Sequence, residues 1–433
     1  MTPPASRRLR PLSTLRLRTV CAFALALLSL SPSLAPTAPA LAEDWPQFLG
    51  PSRDGIYRGD TKLASQWPRT GPAVVWKKKV GEGFAAPVVV DGKVILYHRV
   101  LDREVVDCLD AATGEVKWSH SDATDYTDDM RKGNGPRATP AVADGRIILH
   151  NPDGILQAVD FTSGKTIWKV DTVKQFRSTS GFFGRACSPL IEDSRVLLNI
   201  GGPQAGIGAF DAKTGELLWK ATGDEAGYAS PACATVGDKR IAFFFTRAGL
   251  VAADPKTGEV QFQQRWRSRQ HASVNAATPL IVGDLVVLSS SYQTGATVLD
   301  LSGKAPREVW AGDDILSSQY VNVVHHDGFL YGFDGRNDFG DTRLRCVDLK
   351  TGKVQWTQDK LAAGPIVLAD GKLFITLEGG ELLMVEASPK AFNELGRAAI
   401  HNGPVRAYAS LADGFLFVRD EDTLVCVDLR PGK

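Results

Sequence analysis

The sequence predicts an all-β protein, a closed ring of repeated four-stranded antiparallel units forming an eight-bladed β-propeller, and three observations lead there. First, one stretch keeps returning. CLDAATGEVKW (108–118) recurs as AVDFTSGKTIW (158–168), AFDAKTGELLW (209–219), AADPKTGEVQF (252–262) and CVDLKTGKVQW (346–356), with looser copies at 298–310 and 384–395. Second, the acids before the turns, Asp110, Asp160, Asp211, Asp254, Asp300, Asp348, Glu386 and Asp428, are spaced by roughly 45 residues, the period of a propeller blade. Third, the segments between alternate apolar and polar residues with period two and are dense in Val, Ile, Leu and Phe, which selects strands over a helical solenoid.

Taken in order, residues 1–42 stand apart. Arg7, Arg8, Arg10, Arg16 and Arg18 precede an apolar run from Val20 to Leu30, and Ala40-Leu41-Ala42 offers a small-x-small cleavage site. This predicts a cleavable signal peptide and a periplasmic or otherwise exported protein with no transmembrane segment after cleavage near Ala42. Ser6-Arg7-Arg8 partly matches a twin-arginine signal, but Leu9-Arg10-Pro11 fits it poorly and favours the general secretory route. Residues 43–72, opening EDWPQFLGPSRDG, are rich in Pro, Gly and charge and read as an extended lead-in. Residues 73–433 form the propeller.

Each unit of the propeller has two halves. The first is an apolar strand ending in a tight turn, as in APVVVDGKVILY (86–97) and TPAVADGRIILH (139–150), where Asp-Gly marks a hairpin. Pro87, Pro140, Pro189, Pro231, Pro279 and Pro365 stand where that strand starts, a position suited to an edge strand lining the axis. The second half is the recurring stretch. Its acid can accept hydrogen bonds from amides of its own turn, and its glycine (Gly114 in the first copy) suits positive φ. Trp118, Trp168, Trp219, Trp310 and Trp356 recur with the acids as parts of a stacking repeat and read with them as structural. The two ends of the series are offset. Trp76 has no turn before it and Asp428 has no tryptophan after it, so the strand around Trp76 should complete the C-terminal blade and close the ring.

Composition narrows function. Without residues 1–42, 45 basic side chains face 49 acidic ones, which argues against nucleic acid as a partner. Five cysteines remain, an odd number in an oxidising compartment. Cys108, Cys346 and Cys426 share a slot with Ala158, Ala209, Ala252, Val298 and Met384 and so read as core residues. Cys187 and Cys233 read as buried thiols. A monomer is expected.

The small residue, Asp, Thr-Gly and Trp of these copies resemble the tryptophan-docking repeat of the PQQ-like (quinoprotein) propellers, over essentially all of 73–433. WPQFLGPSRDG (45–55) is similar to the opening of exported bacterial members of that family. The resemblance implies the fold and leaves two functions open, because the family contains PQQ-dependent alcohol and sugar dehydrogenases as well as non-enzymes such as BamB. The dehydrogenase reading implies PQQ and calcium as cofactors. Against it, the chain has no Cys-Cys pair and no C-x-x-C-H, and no carboxylate matches the family's catalytic Asp. Catalytic residues are therefore not assigned, and the favoured reading is a non-catalytic binding or scaffold module for a protein, peptide or small anionic ligand.

The candidate binding site follows from propeller geometry. Loops from each outer strand to the next innermost strand gather around one channel mouth. They carry Arg137, Arg185, Tyr228, His271, Asn275, Gln319, Tyr320, Asn322, Arg406 and Tyr408. Arg and Tyr suit binding hot spots, and clustered arginines suit anions. The alternative is hydrogen bonding between blades. Two acidic loops, one with Asp122, Asp125, Asp128 and Asp129 and the other with Asp334, Asn337, Asp338 and Asp341, offer oxygens to calcium without EF-hand spacing. His325-His326, adjacent on a strand, makes a poor chelate, and no metal site is assigned.

Overall fold

The computed structural model describes residues 44–130 and 132–432; the expected signal peptide and cleavage site lie outside the described residues. Eight antiparallel four-stranded sheets follow one another along the chain, at 88–123, 141–171, 190–221, 232–265, 280–312, 324–358, 366–399 and finally 410–428, which we number blades 1 to 8. Blade 8 takes its outer strand from Ala73–Lys79, paired with Thr423–Asp428. The ring closes as the offset of Trp76 and Asp428 implies. Proline precedes the first strand of blades 1, 2, 3, 4, 5 and 7, and the first strands of blades 8, 1, 2 and 3, and those of blades 6 and 7, touch in sequence around the axis.

The turn motif performs two tasks. Asp110 Oδ1 accepts from the amides of Ala112 and Thr113 and from the Thr113 hydroxyl, while Gly114 at φ 72° donates back to the Asp110 carbonyl. The glycine also forms a dock. A β-carbon at Gly114, Gly164, Gly215, Gly258 or Gly352 would lie 2.5–2.9 Å from the indole of Trp76, Trp118, Trp168, Trp219 or Trp310 of the preceding blade. Each indole N–H then donates to the carbonyl just after the next blade's acid, at Ala111, Phe161, Ala212, Pro255 and Leu349 respectively (2.8–3.2 Å). Trp356 donates likewise to Ser388.

Two local features aim these rings. Opposite each docking position stands the small or apolar slot residue, so Cys108 faces Trp118 and Cys346 faces Trp356 across the ladder. In all eight blades the residue before the docking position (Val75, Lys117, Ile167, Leu218, Gln261, Val309, Gln355 or Leu395) drops out of register. Such a bulge bends the strand and re-aims the next side chain. The five cysteines among the described residues are free, all buried except the half-buried Cys233.

Blade 7 departs from the pattern. Leu395 is the bulged residue there, and Gly396 stands in the docking slot opposite Met384. The vacancy is filled by Trp67 of the lead-in, whose Cε3 lies 2.9 Å from where a β-carbon on Gly396 would sit. The Leu429 carbonyl, next to the acid of blade 8, accepts from the Ala64 amide instead of from an indole.

The rest of the lead-in occupies the axis. Trp45, 2% exposed, exchanges two backbone hydrogen bonds with Val89 of blade 1 (2.8 and 3.0 Å), and the Pro46 carbonyl accepts from Val142 of blade 2. The Phe48 ring meets Tyr408 of blade 8 edge-on at 4.9 Å. Arg53, 3% exposed, donates to the carbonyls of Ser188 (3.3 Å), Pro189 and Pro231 (2.9 Å) in blades 3 and 4. Ile56–Tyr57 adds a parallel fifth strand to Ile366–Ala369 of blade 7. One short segment thus ties the inner strands together and blocks the channel from the hairpin-turn face.

Two substitutions separate these effects. A methyl added at Gly145 (φ 71°) would meet only open space, while one added at Gly164 (φ 69°) would meet Trp118. Gly145→Ala is expected to cost about 1 kcal/mol, the strain of a left-handed alanine, and Gly164→Ala about 3 kcal/mol once overpacking is added; urea unfolding midpoints compare them. Arg53→Met leaves three buried carbonyls without their donor and is expected to cost about 3 kcal/mol, with limited proteolysis then cutting within 44–60.

Candidate functional site

The face opposite the hairpin turns carries the long connections between blades, and arginines stacked on aromatic rings run through it. Phe84, in the connection entering blade 1, lies between the guanidinium groups of Arg137 (5.3 Å to the ring centroid) and Arg406 (5.8 Å). Arg137 also lies 5.5 Å from Phe183, whose ring packs 5.8 Å from Tyr228 and whose amide donates to the Tyr228 hydroxyl (3.1 Å). Phe182 meets His271 edge-on at 6.5 Å and takes Arg247 on its ring at 5.8 Å. Further round, Arg336 lies between Tyr292 (4.5 Å) and Phe339 (4.4 Å), and Gln319 donates to the Tyr292 hydroxyl.

Each of these four arginines also has an acid. Arg137 pairs with Asp128 (3.1 Å), Arg247 with Glu225 (2.9 Å), Arg406 with Glu378 (2.7 Å), and Arg336 with Asp338. The belt is rigid and close to neutral. Planar guanidinium groups held on two sides in this way keep little rotamer freedom to lose on binding.

The residues expected at the mouth therefore divide. Arg137, Arg406, Tyr228 and His271 are brought together through the phenylalanine rings, and burial raises the phenol pKa of both Tyr228 and the half-buried Tyr320. Arg185 is spent within its own sector, donating to Ser178 and to the Pro152 carbonyl. Asn275, Asn322 and Tyr408 are buried. Asn275 donates to the Thr246 and Trp266 carbonyls, and Tyr408 shares two hydrogen bonds with Asn322. Phe84, Phe182, Phe183, Arg247 and Glu378 were not anticipated. GFFGR (181–185) held the available signal: two phenylalanines in a glycine-flanked loop, outside any strand alternation.

Most of the acidic-loop side chains are committed internally, while Asp125 and Asp129 are exposed. Asp122 accepts from Lys169, Gln157 and His120, and Asp128 caps the amides of Met130 and Lys132 besides holding Arg137. Asp334 accepts from the Ser317 amide (2.7 Å) and pairs with Arg343 and Arg345, while Asp341 accepts from the Arg336 amide. Asn337 accepts from Ala363. His325 accepts from the Gly328 amide.

Comparison with known proteins fits this geometry. The family profile described as "Outer membrane protein assembly factor BamB" matches residues 56–180 and 102–358. The chain belongs to the BamB family. BamB of Shewanella oneidensis is 29% identical over 375 residues, covering 72% of this chain and 89% of that protein. The crystal structure of BamB from Moraxella catarrhalis superposes with a TM-score of 0.62 at 13% identity, over 83% of this chain and 98% of that one. Quinohemoprotein alcohol dehydrogenase ADH-IIG of Pseudomonas putida is 28% identical over 147 residues, which is 31% of this chain and only 19% of the dehydrogenase.

The quinoprotein likeness raises the question of PQQ and calcium. A hard cation needs converging carboxylate or carbonyl oxygens. The mouth of this BamB-family propeller offers arginine–aromatic stacks, with its acids taken up by the arginines, and among the described residues no group of three His, Cys, Asp or Glu side chains converges. These residues do not fit a calcium-bound quinone, and no chemical step is derived through one.

Under the outer part of the same face, in blade 1, lies a buried acid. Glu104, 3% exposed, accepts from the Tyr97 hydroxyl at 2.5 Å, and desolvation pushes its carboxyl up to about 7. The folded protein then holds a proton that an unfolded carboxyl, at its ordinary 4.5, has released. Stability should fall as pH rises from about 4.5 to about 7, by at most about 3 kcal/mol from this group. Glu104→Gln is expected to flatten that slope in urea unfolding at pH 5 and pH 8.

Proposed function

We propose that this protein is an exported, non-catalytic member of the BamB family that docks a protein partner on its loop face. The observation that carries this reading is the belt of arginines, each stacked on an aromatic ring and each paired with an acid. Stacked Arg and aromatic side chains are the residue types that dominate protein–protein hot spots. The axial lead-in supports it further. With Arg53 and Trp45 seated in the channel, a ligand at the mouth meets a closed floor, so recognition takes place across a surface. Export is supported by the arginine-led apolar run and Ala40-Leu41-Ala42.

Two measurements test this. Titration of the purified protein with PQQ and Ca²⁺, followed by quinone absorbance and dye-linked alcohol or sugar oxidation, is expected to give neither saturable binding nor turnover; both together would overturn the proposal. Phe84→Ala with Phe183→Ala is expected to weaken reciprocal co-purification of the partner from native envelopes by more than about tenfold, the loss of a hot-spot pair. An unchanged yield would remove the belt from the interface.

A further inference from the structure

Among the described residues, the three most exposed large apolar side chains are Leu101 (86%), Phe339 (71%) and Met130 (50%). All three lie on the loop face. Leu101 tips the turn between Lys93–Val100 and Arg103–Asp110 of blade 1. Met130 sits in the adjoining connection to blade 2, and Phe339 ends the single-turn 3-10 helix Asn337–Phe339 of blade 6. The other exposed aliphatics, none more than 46% exposed, lie on outer strands (Val74, Val75, Val116, Ile167 and Leu218), beside the Leu101 tip (Val100) or on the short helix Thr172–Phe176 (Val173), as on any surface.

These side chains are held out. Leu101 has φ 57°, a left-handed conformation that strains a leucine, and its exposed side chain recovers nothing from the protein. The turn is fixed by Arg99, which donates to the Leu101 carbonyl (2.7 Å) and to the Tyr126 and Asn134 carbonyls of the adjoining connection. Met130 is pinned through its amide to Asp128, itself bound through its amide to Asn134. Phe339 lies on Arg336, which is clamped by Tyr292, Asp338 and the Asp341 carboxylate. An exposed apolar side chain on a strained or braced turn is poised for a contact outside the protein.

Blades 1 and 6 are three steps apart around a ring of eight, with the mouth between them. An occupant reaching both tips must lie across the mouth, which a small anion or a single side chain cannot do. We propose that Leu101 with Met130, and Phe339, are two anchoring knobs that grip one folded protein partner laid across the loop face, each knob entering an apolar pocket of that partner. This rests on the loop face being a protein-docking surface. Because the intervening arginines are already neutralised, the partner's surface between its two pockets is of low net charge.

The test is photo-crosslinking in the native cell, with p-benzoylphenylalanine placed singly at positions 101, 339, 84, 183, 75 and 218 of the full chain. Expected is one and the same polypeptide, identified by mass spectrometry, from both 101 and 339, and none from the rim positions 75 and 218. Leu101→Ser and Phe339→Ser should each reduce its co-purification at least tenfold. Leu101→Gly should raise the thermal midpoint by relieving the strain and still lose the partner, a combination that misfolding cannot produce. Crosslinks from 101 and 339 to two different polypeptides, to a second copy of this chain, or fewer than from the rim overturn the proposal. If 84 and 183 crosslink and 101 and 339 do not, the knobs fail and the docking reading stands; if none of the four crosslinks, both fail.

Discussion

The contact on which the ring depends is an indole lying on a glycine. Trp118 covers Gly164, Trp168 covers Gly215 and Trp219 covers Gly258, so the same short motif provides the ring in one blade and the dock in the next. Neither half stabilises anything alone. The glycine satisfies two demands at once, a positive φ for the turn and the absence of a β-carbon under the indole. The indole N–H, which burial would otherwise leave unpaired at a cost, is answered by the carbonyl just past the acid. Stability is thereby assigned to junctions, as in any repeat protein, and the junctions must close on themselves because an unpaired last blade would expose both its dock and its edge strand.

The exceptions show what the constraint requires. Between blades 4 and 5 the slot holds Phe262, which has no N–H to place. Between blades 7 and 8 it holds Gly396, and the lead-in supplies both missing components separately: Trp67 fills the volume, and the Ala64 amide serves the Leu429 carbonyl. The lead-in then becomes a second closure at the axis, with Arg53 as its buried clamp. Burial lowers the Arg53 pKa to about 10, still far above neutrality, so the guanidinium keeps its charge and its donors.

The parts of this protein written in repeated, local pattern were legible in its sequence. The acid spacing gave the blade count, Trp76 and Asp428 gave the closure, and the alanines aligned with Cys108 explained that cysteine. Trp67 and Arg53 were illegible because their partners, Gly396, Ser188 and Pro231, lie more than a hundred residues away and no periodicity links them. The mouth was half legible for a related reason. Arg137 and Asn275 stand in similar positions ahead of innermost strands, and nothing local decides that one side chain stacks on Phe84 while the other turns inward to the Thr246 carbonyl. Residue type and position specify which side chains could reach the mouth; the course of each connection decides which do.

Pairing every stacked belt arginine with an acid also decides how the loop face can recognise anything. Unpaired, Arg137 and Arg406 converging on Phe84 would form an anion site whose attraction acts at long range and is weakened by salt. Paired with Asp128 and Glu378, they offer little net field, and an incoming carboxylate or phosphate would have to displace an acid already in place. What remains is planar, apolar and preorganised surface, in the stacked rings and in Leu101 and Phe339 outside them. Such a surface favours shape over charge, and its affinity resides in slow dissociation more than in fast capture. That is the behaviour expected of the protein-docking role proposed for this face.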